Sequence, residues 1–301
     1  MRYGIGIDTG KPLPEVVEQA RRRAAAGFSY LTLSHIFAYD ALSLVAAVGP
    51  QVPAVGFTTA VVPIYTRHPI AMAQEALTVQ AALHGRFSLG IGLSHKIVIE
   101  TMYGLDFAKP LRDMTEYLAV LMPLLRGEHV SFEGETVQAN IGPFEIPDSS
   151  RPQVIVAALG SGMLKLAGAV ADGTTTWMTG PNTLRDHIVP TIRAAAEQAG
   201  RPKPRVMAAL PISVTSDVAA AREKASTTLA VYGQLPSYRA MLDREGAAAP
   251  GDVAIAGTEA EVRAALEDLD DAGVTDFAGM PVGTRDEVER TLALLAELAS
   301  A

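Results

Sequence analysis

The feature that most constrains this chain is a repeated alternation. Short apolar runs recur, each followed by a longer amphipathic stretch. Strands read at 3–8, 30–33, 54–62, 87–93, 153–159, 174–178, 206–214 and 274–280, with helices between them. Such alternation implies a parallel sheet covered by helices. Eight units over about 250 residues plus insertions match a closed (β/α)8, or TIM, barrel, and an open doubly wound sheet is the other architecture the pattern allows. The rhythm breaks twice. Residues 129–147 read as a small hairpin insertion between strands 4 and 5, turning at Glu133-Gly134. Between strands 7 and 8 an extended segment adds a helix at 237–244 and a flexible-looking stretch at 246–251. With no linker-like composition, one domain over 1–301 is expected.

Composition removes several function classes. A net charge of −8 argues against a general nucleic-acid binder, which would carry a basic stripe. No apolar run approaches the roughly 18 residues of a membrane span, and the N-terminus lacks the pattern of a signal peptide. The absence of cysteine rules out disulfides and thiolate metal sites, and fits the cytoplasm. No histidine pair has helical zinc spacing and no carboxylate cluster resembles a calcium loop, so no metal is expected. A G-x-S-x-G elbow is absent, which disfavours a serine hydrolase.

In a barrel, function belongs at the C-terminal ends of the strands. At the second strand's end stands His35, near Phe37 and Tyr39. It reads as a general acid or base, or as a loop histidine satisfying a backbone group. Asp40 reads as the cap of the next helix. The fourth strand, Arg86 to His95 (RFSLGIGLSH), alternates glycine with apolar residues, so a ligand or a second backbone can lie close against it. Gly90-Ile91-Gly92 lacks the third glycine of a dinucleotide fingerprint, and Ser94-His95 falls on the rim. After the fifth strand, Gly160-Ser161-Gly162 opens a helix directly; it is either an anion-binding turn or an ordinary tight turn. His68 reads as a helix-start residue and His84 as a helix-end cap, while His129 and His187 show no partner. Trp177 reads as a core aromatic.

Arg86 to His95, Pro63 to Pro69 (PIYTRHP) and Ala157 to Gly162 (AALGSG) resemble the luciferase-like monooxygenase superfamily. Ala171-Asp172-Gly173, Gly257 to Val262 and Ala272 to Asp276 agree, in the right order along nearly the whole chain. The resemblance is closest to the subgroup that uses the deazaflavin coenzyme F420 rather than FMN. It implies a dimeric barrel that transfers a hydride between F420 and an organic substrate. It implies that the cofactor's phosphate end is held by Ala158, Leu159, Gly160 and Ser161. A non-proline cis peptide behind the ring is implied at Ala60-Val61, with Thr59-Ala60 as the second choice. His35 takes the place of a histidine that acts at the ring, Ser94 and His95 of cofactor contacts, and Tyr39 of an aromatic near substrate. The sugar-phosphate dehydrogenases of the subgroup carry a carboxylate acid where this chain has His95, which suggests another substrate. An FMN-dependent monooxygenase using oxygen and a non-catalytic flavin-binding barrel remain as alternatives.

Overall fold

The computed structural model describes residues 1–300. Eight parallel staves close on themselves: β1 (Arg2–Gly6), β2 (Tyr30–Leu33), β3 (Gly56–Thr59), β5 (Phe87–Gly92), β8 (Gln153–Ala157), β9 (Gly173–Trp177), β10 (Arg205–Val214) and β12 (Asp276–Pro281). β9 at one end of the strand order pairs in parallel with β10, from Arg205↔Gly173 to Ala209↔Trp177, which closes the ring and excludes the open sheet. Helices cover the outside: α1 (Leu13–Ala25), α2 (Ala41–Val48), α3 (Pro69–Ala82), α4 (Pro110–Leu125), α5 (Ser161–Val170), α6 (Pro181–Thr183), α7 (Val189–Gln198), α8 (Val218–Thr228), α9 (Pro236–Glu245), α10 (Glu259–Ala272) and α11 (Arg285–Ser300). Local chemistry sets their ends. Asp40 caps α2 by accepting from the Ser43 amide at 2.9 Å. His68 caps α3 through the Ile70 amide. Thr258 and Glu261 form a capping box on α10, and Gly273 ends that helix at φ +99°.

The expected strand 54–62 is interrupted. β3 pairs with β5 as far as Thr58↔Ser88, and a two-residue β4 (Val62–Pro63) resumes the pairing at Val62↔Ile91. The chain thus advances four residues (58 to 62) against three (88 to 91), which is a bulge of one residue. Its contents are Thr59, Ala60 and Val61, and the Ala60-Val61 peptide is cis. The Thr59 hydroxyl replaces the lost ladder bonds: it accepts from the Gly90 amide at 2.8 Å and donates to the Gly90 carbonyl at 2.9 Å. A Cβ on Gly90 would collide with the Thr59 carbonyl oxygen, and one on Gly92 would meet Val61 Cγ2 at 2.6 Å. At Gly90 the close approach is that of a second backbone, and at Gly92 it is that of the Val61 side chain.

The insertion between β5 and β8 is a two-stranded antiparallel hairpin, β6 (Val130–Glu133) and β7 (Gln138–Ile141). Glu116 of α4 holds its turn, accepting from the amides of Glu135, Thr136 and Val137 and from the Thr136 hydroxyl. These donors pull its carboxyl down to about 2. The segment after β10 also carries a short strand, β11 (Ile255–Gly257), that extends β10 outside the closed ring. The stretch 246–251 is docked rather than loose. Pro250 and Gly251 are buried, and a Cβ on Gly251 would strike the Arg222 carbonyl oxygen.

A cluster of Tyr30, Ile155, Met207 and Ala278 forms apart from the main core. At the N-terminal end Arg205 binds Asp276, Gln153 and Ser88, while Arg2 binds the same, fully buried Asp276.

Candidate active site at the barrel mouth

Parallel staves place every strand's C-terminal end on one rim. His35 follows β2, and its Nδ1 accepts the Ala41 amide at 3.2 Å. Ala41 is the first residue of α2, so the positive end of that helix faces the ring. An Nδ1 that accepts leaves the proton of a neutral imidazole on Nε2. Burial lowers the His35 pKa; nearby Asp40 opposes this and Arg67 adds to it. Asp40 Oδ2 lies 3.5 Å from Nδ1 and is clasped by Arg67, whose Nε reaches Glu75 at 2.9 Å. The Asp40 carboxyl sits below its ordinary range: the Ser43 hydrogen bonds and the Arg67 charge outweigh its burial.

After β5 the chain turns at Ser94, whose φ of +58° is left-handed. The His95 carbonyl accepts the Val98 and Ile99 amides at the start of a short helical segment, 96–102, that ends as a π-helix over Val98–Met102. Its ring meets Tyr238 edge-on at 5.7 Å, Tyr238 meets Tyr232 at 5.2 Å, and Tyr232 meets Trp177 at 5.9 Å. Burial lowers the His95 pKa as well. These contacts make an aromatic wall from three distant segments. Trp177, expected in the core, stands at the end of β9 as a half-buried member of that wall.

After β8, Gly160 precedes the first residue of α5, and no side chain caps the helix. The amides of its first turn therefore have no intrahelical acceptor. Gly160 has open space where a Cβ would be, and a Cβ on Gly162 would come within 3.0 Å of Leu111. An uncapped, glycine-cleared helix start of this kind suits an anionic group. The segment is braced from behind: His187 bonds the Leu159 carbonyl at 2.8 Å through Nε2. Thr174 donates to the Val156 carbonyl at 2.8 Å and reaches that of Ala158 at 3.4 Å. The partner of His187 was not foreseen, because Leu159 lies 28 residues away.

The rim thus carries His35, the bulge at Thr59, Ala60 and Val61, Ser94, His95, and the turn at Ala158, Leu159, Gly160 and Ser161. The Thr59 hydroxyl is committed to Gly90. Tyr39 is 38% exposed beside Asp40, and Ile36, Phe37, Ile97, Met102 and Tyr103 also stand out from the loops after β2 and β5. Among the described residues no group of histidine and carboxylate side chains could hold a metal ion. No helix among them is long and apolar enough to cross a membrane.

The closed (β/α)8 barrel thus gathers an uncapped amide turn, a half-buried histidine and an aromatic wall on one rim. The chain belongs to the luciferase-like monooxygenase family, whose model matches residues 1–300. It is 26% identical to a 5,10-methylenetetrahydromethanopterin reductase of Methanolobus tindarius, over 95% of this chain and 96% of that protein. It is 29% identical to an F420-dependent glucose-6-phosphate dehydrogenase of Mycolicibacterium fortuitum, over 62% and 60%. In fold it matches the coenzyme F420 dependent tetrahydromethanopterin reductase of Methanopyrus kandleri, with a TM-score of 0.83 at 22% identity over 98% of this chain and 97% of that one.

Proposed function

We propose that the protein is an oxidoreductase that transfers a hydride between coenzyme F420 and a small organic substrate. The observation that carries this reading is the uncapped, glycine-cleared start of α5 on the same rim as His35. The first suits the anionic tail of a cofactor, the second a proton exchanged with substrate. The relatives named for F420 and for methanopterin reduction support the choice of cofactor. Bound there, the deazaflavin would give or accept the hydride.

The protein's own part is to bind, orient and handle one proton. Ala158, Leu159, Gly160 and Ser161 would hold the phosphate end, with His187 and Thr174 fixing their carbonyls. Thr59, Ala60 and Val61 would back the ring, and Ser94 and His95 would flank it. His35 would present Nε2–H to a substrate oxygen near Tyr39. The mouth favours an uncharged substrate. Exposed apolar side chains such as Ile36, Phe37, Ile97 and Met102 stand in its loops, and Arg67, Lys96 and Arg112 each pair with a carboxylate. We extend the proposal to a homodimer, on the family resemblance alone, and to a cytoplasmic setting, which a chain without cysteine suits.

An anaerobic assay separates this reading from an oxygen-using one. Reduced F420 should be oxidised by a panel of uncharged ketones and aldehydes without oxygen. Turnover only with reduced FMN, with matching oxygen consumption, would overturn it.

A further inference from the structure

We propose that Asp40 and Arg67 are positioning residues that set where His35 keeps its proton and how readily it takes a second. The inference rests on His35 being the proton partner of the proposed reaction. His35 Nδ1 has two neighbours of opposite kind: the Ala41 amide, a donor at 3.2 Å, and Asp40 Oδ2, an acceptor at 3.5 Å. Neutral His35 bonds the amide and holds its proton on Nε2. A second proton must go to Nδ1. It breaks the Ala41 bond, and Asp40 Oδ2 is the acceptor at hand. Giving the Nε2 proton to a substrate oxygen breaks that N–H bond and forms an O–H bond. It leaves neutral His35 with Nδ1–H against Asp40.

Arg67 opposes the charged state. Its guanidinium holds the same Asp40 oxygen and adds a positive charge near the ring. Asp40 and Arg67 are the charged groups that shift His35. Arg67 is also bound by Glu75 through Nε, and both charges act on the buried Tyr117 phenol. The pair has a structural duty too, because Asp40 Oδ1 caps α2. The two duties fall on different oxygens, so they can be separated. Asp40→Asn keeps an oxygen for the Ser43 amide and is a good helix cap, but removes the charge that faces Nδ1. Arg67→Met keeps the aliphatic stem and removes the guanidinium.

The test is an NMR titration of the cofactor-free protein labelled in its histidines, with the His35 signal assigned by His35→Gln. Trp177 fluorescence checks the fold of each variant. Neutral His35 in the parent should show the Nε2–H tautomer. Its pKa should fall in Asp40→Asn, rise in Arg67→Met, and stay near the parent in Arg67→Lys. A parent with mainly Nδ1–H, or shifts that are absent or share one sign, would overturn the proposal. An F420 titration on the same samples keeps the two readings apart. If the parent fails to bind F420, the cofactor reading falls, while the His35 titration still decides the role of Asp40 and Arg67.

Discussion

At His35 the inner nitrogen is taken by a helix-start amide, and burial lowers the ring's pKa. Only Nε2–H is left to meet a ligand. His35→Ala should lower turnover roughly 10²–10⁴-fold, the usual contribution of a positioned acid or base, while Trp177 fluorescence and cofactor affinity stay as in the parent. Unchanged turnover would remove its catalytic role. The position of His35 was legible, because it stands at a strand end. Its tautomer was not, because the Ala41 amide, Asp40 and Arg67 converge on it only once α2 and the loop before α3 are folded. His187 is the clearer case. Nothing around it in sequence points to the Leu159 carbonyl, which reaches it through the packing of α5 against α7 and the turn before it.

At the scale of elements, β3, β4 and β5 act as one unit. Gly90 and Thr59 exchange two hydrogen bonds across the bulge, and a side chain at Gly90 would strike the Thr59 backbone first and crowd Val61 Cγ1 at 3.3 Å. Backbone yields less than a flexible side chain. Gly90→Ala should therefore destabilise the protein by at least about 1–3 kcal/mol, the usual penalty for overpacking, and weaken cofactor binding as Val61 shifts. Denaturant unfolding and a binding titration check both parts. The glycines were readable as sites of close approach, but which partner approaches was not, since an alternating strand gives no sign of a bulge in its neighbour. The hairpin was legible in the sequence, but its turn runs over 134–137, with Glu133 still paired to Gln138 rather than in the turn. The role of Glu116 in holding it was not legible, because that contact spans about twenty residues and two elements.

At the scale of the whole molecule, the two ends of the barrel divide the work. The N-terminal end is closed by Arg205 and Arg2 on a buried Asp276, and the mouth is left for ligands. Asp276→Ala strands the largely buried Arg205 guanidinium, whose side chain is 13% exposed, and should cost about 3–5 kcal/mol in urea unfolding. A loss near zero would mean that water already solvates Arg205. The barrel itself was the most legible feature, because eight separate stretches carry the same periodic signal. The three-residue β11 escaped notice because it is too short to show a period. The aromatic wall of His95, Tyr238, Tyr232 and Trp177 escaped because its members come from three distant segments. If the uncapped turn at Gly160 and the rim around His35 form a deazaflavin site, F420 must bind there in preference to FMN. A fluorescence titration of the purified protein with F420 and, separately, with FMN tests it directly. Saturable binding of F420 at lower concentration than FMN is expected; micromolar binding of FMN with no detectable binding of F420 would rule the deazaflavin site out.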